Sequence, residues 1–155
     1  MSAFFTNLVV PALISGFAGV CAWVAANFFA APLIEFRNLR KAVHQSLLFN
    51  ANVGDISTDE RIDSAMTELR GYAAALNALW VTAPLAVKKY LLWSGYNVDS
   101  ATSGLTGLSN SIHLQEGSRA IHRHRIEKGL CLPMSYTDAE IREVIQEHRR
   151  RQSGG

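Results

Sequence analysis

The sequence predicts an all-α protein, with one N-terminal transmembrane helix followed by a cytoplasmic helical hairpin or bundle of about four to five helices. Three observations carry this. No charged side chain occurs from Met1 to Ile34, where 25 of 34 residues are hydrophobic, whereas all 15 Lys+Arg and 13 Asp+Glu lie from Glu35 onward. Beyond Glu35, apolar residues recur at intervals of three and four, the spacing that lines one side of an α-helix. No alternating apolar and polar series reads as a set of strands. The chain-wide totals conceal this division. With 155 residues, 48% hydrophobic and a formal net charge of +2, the average describes an ordinary soluble domain. The part after Ile34 holds 50 hydrophobic residues in 121, enough to bury a core, which excludes disorder. Only two cysteines, Cys21 and Cys131, are present, which excludes a disulfide scaffold.

The N-terminal segment, 1–34, contains the span at about 8–31. Residues 8–34 form a 27-residue run without charge, and about 20 apolar residues cross a hydrocarbon core. Pro11 stands near its start and Pro32 near its end, where a missing backbone donor does least harm. Phe4, Phe5, Phe28 and Phe29 gather toward the two ends. A cleaved signal peptide is the alternative, with an Ala-x-Ala-like site at Phe28 to Ala31. It is opposed by the absence of a basic leader and by the length of the apolar run. Arg37, Arg40 and Lys41 follow the span directly, so the positive-inside rule places the N-terminus outside and the C-terminal part in the cytoplasm. Ser15, Ala18, Gly19, Ala22, Ala26 and Ala30 make a small-residue face, the kind that lets helices approach closely in a membrane.

The soluble part, 35–135, opens with a helix continuing from the span over 35–52, on Phe36, Leu39, Val43, Leu47 and Phe49. Asn50, Asn52, Gly54 and Asp55 break it. Ser57-Thr58-Asp59-Glu60 fits a capping box for a helix of about 24 residues ending at Val81. Its apolar face is Ile62, Ala65 or Met66, Leu69, Ala73, Leu76, Leu79 and Trp80. Two such helices joined by a short polar loop form an antiparallel hairpin. Pro84 suits the first turn of a short helix over 84–93. There Leu85, Val87, Tyr90, Leu91, Leu92 and Trp93 surround Lys88 and Lys89, and Tyr96 follows. With Trp80, these aromatics and lysines are candidates for a membrane interface; the alternative is that they complete the core. A further helix over 99–114 takes Asp99 or Ser100 as its cap, with Gly104 and Gly107 allowing close packing on the hairpin. The helix over 118–130 ends before Pro133. Thr137-Asp138-Ala139-Glu140 forms a second capping box and opens a basic helix over 141–151 within the C-terminal segment, 136–155. Its last residues read as a frayed tail.

No chemistry-bearing motif appears. His122 and His124 are two apart and point away from each other on a helix, Cys131 has no neighbouring cysteine, and His44 and His113 are isolated. Gly104 and Gly107 are not followed by the Lys and Ser/Thr of a phosphate-binding loop. No cofactor or metal is expected. The basic residues group as Arg119, Arg123, Arg125 and Lys128, and as Arg149, Arg150 and Arg151. These clusters suit anionic headgroups or a solvated helix face better than nucleic acid, because aromatics are not interleaved with them.

The stretch Phe36-Arg37-Asn38-Leu39-Arg40-Lys41-Ala42-Val43-His44-Gln45-Ser46-Leu47-Leu48-Phe49-Asn50-Ala51-Asn52-Val53, with Gly107-Leu108-Ser109-Asn110-Ser111, resembles small bacterial single-pass membrane proteins of uncharacterised activity. The resemblance implies a bacterial inner (cytoplasmic) membrane setting and implies no activity. The expected function is accordingly that of a membrane-anchored accessory or scaffolding protein without catalysis. Its expected partners are membrane lipids and a membrane protein or further copies of itself. The alternatives are an effector that oligomerises through the span and binds anionic lipid, and a membrane-bound enzyme.

Overall fold

A computed structural model describes residues 10–51, 53, 57–112 and 116–153. Among these the chain is all-helical, with six helices: α1 (Val10–Phe49), α2 (Asp59–Thr82), α3 (Leu85–Trp93), α4 (Val98–Asn110), α5 (Glu116–Gly129) and α6 (Asp138–Ser153). The count is slightly higher than expected, because the bundle takes the second half of α1 and all five later helices. Leu8 and Val9 of the expected span, Phe4 and Phe5, the breakers Asn52, Gly54 and Asp55, and His113 lie outside the described residues.

The helix α1 has 40 residues, about 60 Å at 1.5 Å per residue. Pro32 does not lie near its end, as the sequence implied, but inside it. A proline there lacks an N–H and crowds the carbonyl four residues back. The chain accommodates it with a π-helical turn over Ala26–Ala30, in which the Ala31 N–H donates to the Ala26 carbonyl five residues back. The helix then proceeds without a break to Phe49. Its two parts have opposite surroundings. Nothing is buried from Val10 to Ala30, whereas Phe36, Val43, Ser46 and Leu47 enter the core.

The helix α2 buries Ile62, Ala65, Leu69, Ala73, Leu76 and Leu79, the face read from its periodicity. It returns alongside α1, with Asn50 Nδ2 donating to Glu68 Oε2 at 3.1 Å. Its N-cap is Thr58, one residue after the Ser57 expected to open the capping box, and Thr58 makes no side-chain cap hydrogen bond. Pro84 is likewise the N-cap of α3 and not its first helical residue. The cap of α4 is Asn97, whose side chain accepts from the Ser100 N–H at 2.9 Å, in place of Asp99 or Ser100. The box at Thr137 does form: the Thr137 N–H donates to Glu140 Oε2 at 2.7 Å, and the Glu140 N–H to Thr137 Oγ1 at 3.3 Å.

At the centre of the bundle, α4 packs most extensively on α5 and α2. Gly104 and Gly107 permit this, but the helix they admit is α5 and not the hairpin. A Cβ on Gly104 would lie 2.8 Å from Ile126 Cγ1 and 3.0 Å from the His122 carbonyl, and one on Gly107 would land on the His122 imidazole. Two helices end in the same way. After α3, the Gly95 N–H donates to Leu92 O and the Tyr96 N–H to Leu91 O, both at 3.0 Å, with Gly95 at φ +86°. After α5, the Cys131 N–H donates to Lys128 O and the Leu132 N–H to Glu127 O, with Cys131 itself at φ +48°. Each ending folds the chain back so that Tyr96 and Leu132 join the core.

Candidate functional surfaces

The small-residue face of α1 is open. Ser15, Ala18, Gly19, Ala22, Ala26 and Ala30 are all exposed, and a Cβ on Gly16 or Gly19 would meet nothing within 4 Å. Around them Leu13, Ile14, Phe17, Val20 and Trp23 are also uncovered, Phe17 to 73% and Trp23 to 61%. Apolar surface exposed on all sides of a helix is costly in water, at roughly 25 cal/mol per Å². This one helix is long and apolar enough to cross a membrane.

Where α1 enters the bundle, the residues assigned to a membrane interface divide. Arg37 and Lys41 are exposed. Arg40 turns inward: its Nε donates to Leu130 O at 2.8 Å and its Nη2 to Cys131 O at 2.6 Å, with the guanidinium 6.0 Å from the Tyr96 ring centre. It therefore places a positive charge just beyond the C-terminus of α5, where the helix dipole favours one. Tyr96 packs edge-on against Phe36, ring centres 4.9 Å apart. Trp80 is partly buried against the core, with Lys88 Nζ 5.9 Å from its ring and 3.1 Å from the Val81 carbonyl. Val87 and Leu91 of α3 are buried, whereas Leu85, Lys89, Tyr90, Leu92 and Trp93 face outward. Part of this segment thus completes the core, and the rest is exposed.

The first basic cluster is largely engaged within the fold. Arg119 Nη1 donates to Val53 O at 2.8 Å and Arg123 Nε to Glu127 Oε1 at 2.9 Å, and Lys128 Nζ lies 3.1 Å from Asp138 Oδ1. Arg125 is exposed. Of the second cluster Arg149 and Arg150 are exposed, and the Arg151 side chain lies outside the described residues. Glu127, which the sequence reading passed over, joins α5 to the segment before α6. Its buried carboxylate accepts from Arg123, from Ser135 Oγ at 2.7 Å and from the Ser135 N–H at 2.8 Å. Its i,i+4 spacing from Arg123 was the signal that could have found it.

The histidines diverge as helix geometry requires. His124 Nε2 is 2.9 Å from Asp138 Oδ1. His122 lies over Gly107 with its Nδ1 buried and unpartnered, and burial, then the Arg125 charge, hold its pKa below the ordinary 6.5. The Lys128 ammonium, foremost by its hydrogen bond, lowers the Asp138 carboxyl, and the Thr137 N–H lowers that of Glu140. Among the described residues no three His, Cys, Asp or Glu side chains gather as a metal site. A cavity of about 90 Å³ has Leu47, Leu69, Leu108 and Ile112 among its lining, beside Arg119 and Arg123. It is smaller than the few hundred Å³ typical of small-molecule sites.

No protein-family model matches the chain, and no curated protein or solved structure is found to be similar to it.

Proposed function

We propose that this protein is a membrane-anchored α-helical accessory or scaffolding element without catalysis, held in a bacterial inner membrane by the first part of α1. In this reading the N-terminus is outside, the bundle is cytoplasmic, and the chain binds a protein partner or further copies of itself in the membrane, with the small-residue face of α1 as the packing face. One observation carries the reading: α1 is a single helix whose residues 10–30 are all exposed, while its continuation supplies Phe36, Val43 and Leu47 to the core. That continuity also opposes a cleaved signal sequence, because cleavage at 28–31 would cut a helix just ahead of core residues.

Alkaline extraction and topology labelling test the proposal together. The intact 17.0 kDa chain is expected to stay with carbonate-washed membranes. In a Cys21→Ala variant, the exposed Cys131 should react with a membrane-impermeant maleimide in inverted vesicles and not in intact cells. Release by carbonate, or a chain shortened at residues 28–31, would sink the anchoring. Labelling of Cys131 in intact cells would reverse the orientation.

A further inference from the structure

Part of the apolar surface of the bundle is unused by its core. Val81, Leu85 and Leu92 are more than half exposed, and Trp93 is 86% exposed, while Val87 and Leu91 on the other side of α3 are 1% exposed. The helix α3 therefore has a second, outward apolar edge, with Lys89 exposed beside it and no acidic residue in its first turn. Its position follows from the hairpin. Asn50 meets Glu68, so 14 residues further along α2, Thr82 lies level with Phe36, about 21 Å away along the helix axis. Tyr96, just after α3, packs on that same Phe36, and Leu33 packs against the core one turn earlier. The exposed edge of α3 thus sits at the end of the bundle from which the uncovered part of α1 emerges.

We infer that α3 is a foot that seats the bundle on the bilayer holding α1. Leu85, Leu92 and Trp93 enter the interfacial region, and Lys89, with Arg37 and Lys41 on α1, meets anionic headgroups. The inference rests on the membrane anchoring proposed above. Two features favour lipid over a protein partner: continuity with a helix uncovered on all sides, and an indole beside lysines, the composition an interface selects. A basic residue near such a surface strengthens binding about fivefold.

The three tryptophans, Trp23, Trp80 and Trp93, supply the test in the full chain. Two variants, Trp80→Phe/Trp93→Phe and Trp23→Phe/Trp80→Phe, leave Trp23 and Trp93 as single reporters, and equal helical circular dichroism establishes that both fold. In vesicles containing phosphatidylglycerol and brominated phosphatidylcholine, both reporters are expected to lose emission. Leu85→Glu with Leu92→Glu should abolish the loss at Trp93 and preserve it at Trp23. Quenching of Trp23 without quenching of Trp93 overturns the foot and leaves the anchor standing. Quenching of Trp93 that survives the two glutamates also overturns it. An unquenched Trp23 removes the anchor and the foot together.

Discussion

Cys131 and His122 show how much a single position can hold. Cys131 occupies the left-handed region at φ +48° to end α5, a place where glycine is unstrained and an L-residue is penalised by about 1–2 kcal/mol. Cys131→Gly should therefore stabilise the fold by about 0.5–1 kcal/mol after the added freedom of the unfolded chain is offset. Thermal unfolding in detergent reads this directly, and a lowered midpoint would contradict it. His122 makes stability depend on pH. Its folded pKa lies below 6.5, so the unfolded chain takes up the proton first as pH falls. Stability is complete above about 6.5 and declines below it, toward the folded pKa. The unfolding midpoint should drop between pH 7.5 and 5.5, and His122→Gln should remove part of that drop. An identical pH profile in the variant would contradict the assignment.

At the scale of elements, the helices and the pairing of α1 with α2 were legible, and the packing of α4 on α5 was not. Periodicity gave the buried face of α2 except that it left Ala65 and Met66 open and included the partly buried Trp80, and the Thr137 box opened α6, because both signals are local. Ser57 looked equally suited to cap α2, yet the chain enters that helix at Thr58, which makes no side-chain cap hydrogen bond. The partner of Gly104 and Gly107 depends on α5, a helix that follows them in the chain and that local spacing cannot locate. Arg40 was read as interfacial because its position beside the span was visible, while the Leu130 and Cys131 carbonyls it binds, just past α5, lie 90 and 91 residues further on. Two glycines make the difference measurable. Gly71 stands in mid-α2 with nothing within 4 Å of its missing Cβ, so Gly71→Ala should stabilise by about 0.5–1 kcal/mol. Gly104→Ala gains the same propensity but drives a methyl against Ile126 and the α5 backbone, and should destabilise by about 1–3 kcal/mol. Equal signs for the two would refute the packing of α4 on α5.

For the whole molecule, the division at Glu35 was the most legible feature, because the distribution of charge along a chain needs no tertiary information to detect. The candidate surfaces were less legible, since exposure is a property of the assembled fold: Trp80 and Trp93 look alike in sequence, and only one is tucked against the core. The open face of α1 belongs to this scale too. Under the proposed self-association, Ala22→Leu with Ala26→Leu should reduce dimer signal in a membrane two-hybrid assay, since larger side chains hold helix backbones apart. Unchanged signal would move the association to the bundle.

The unbroken course of α1 has a mechanical consequence. A helix advances about 100° and 1.5 Å per residue, so the heading of the bundle about the α1 axis is set by the residue count between the exposed segment and Phe36. The turn at Ala26–Ala30 already spans one residue more per hydrogen bond than an α-turn does, and so contributes to that count. One residue inserted after Ala31 would swing α3 by more than a quarter circle while leaving every contact inside the bundle intact. Position along this chain thus acts as an angular setting, fixed by arithmetic and not by any side chain.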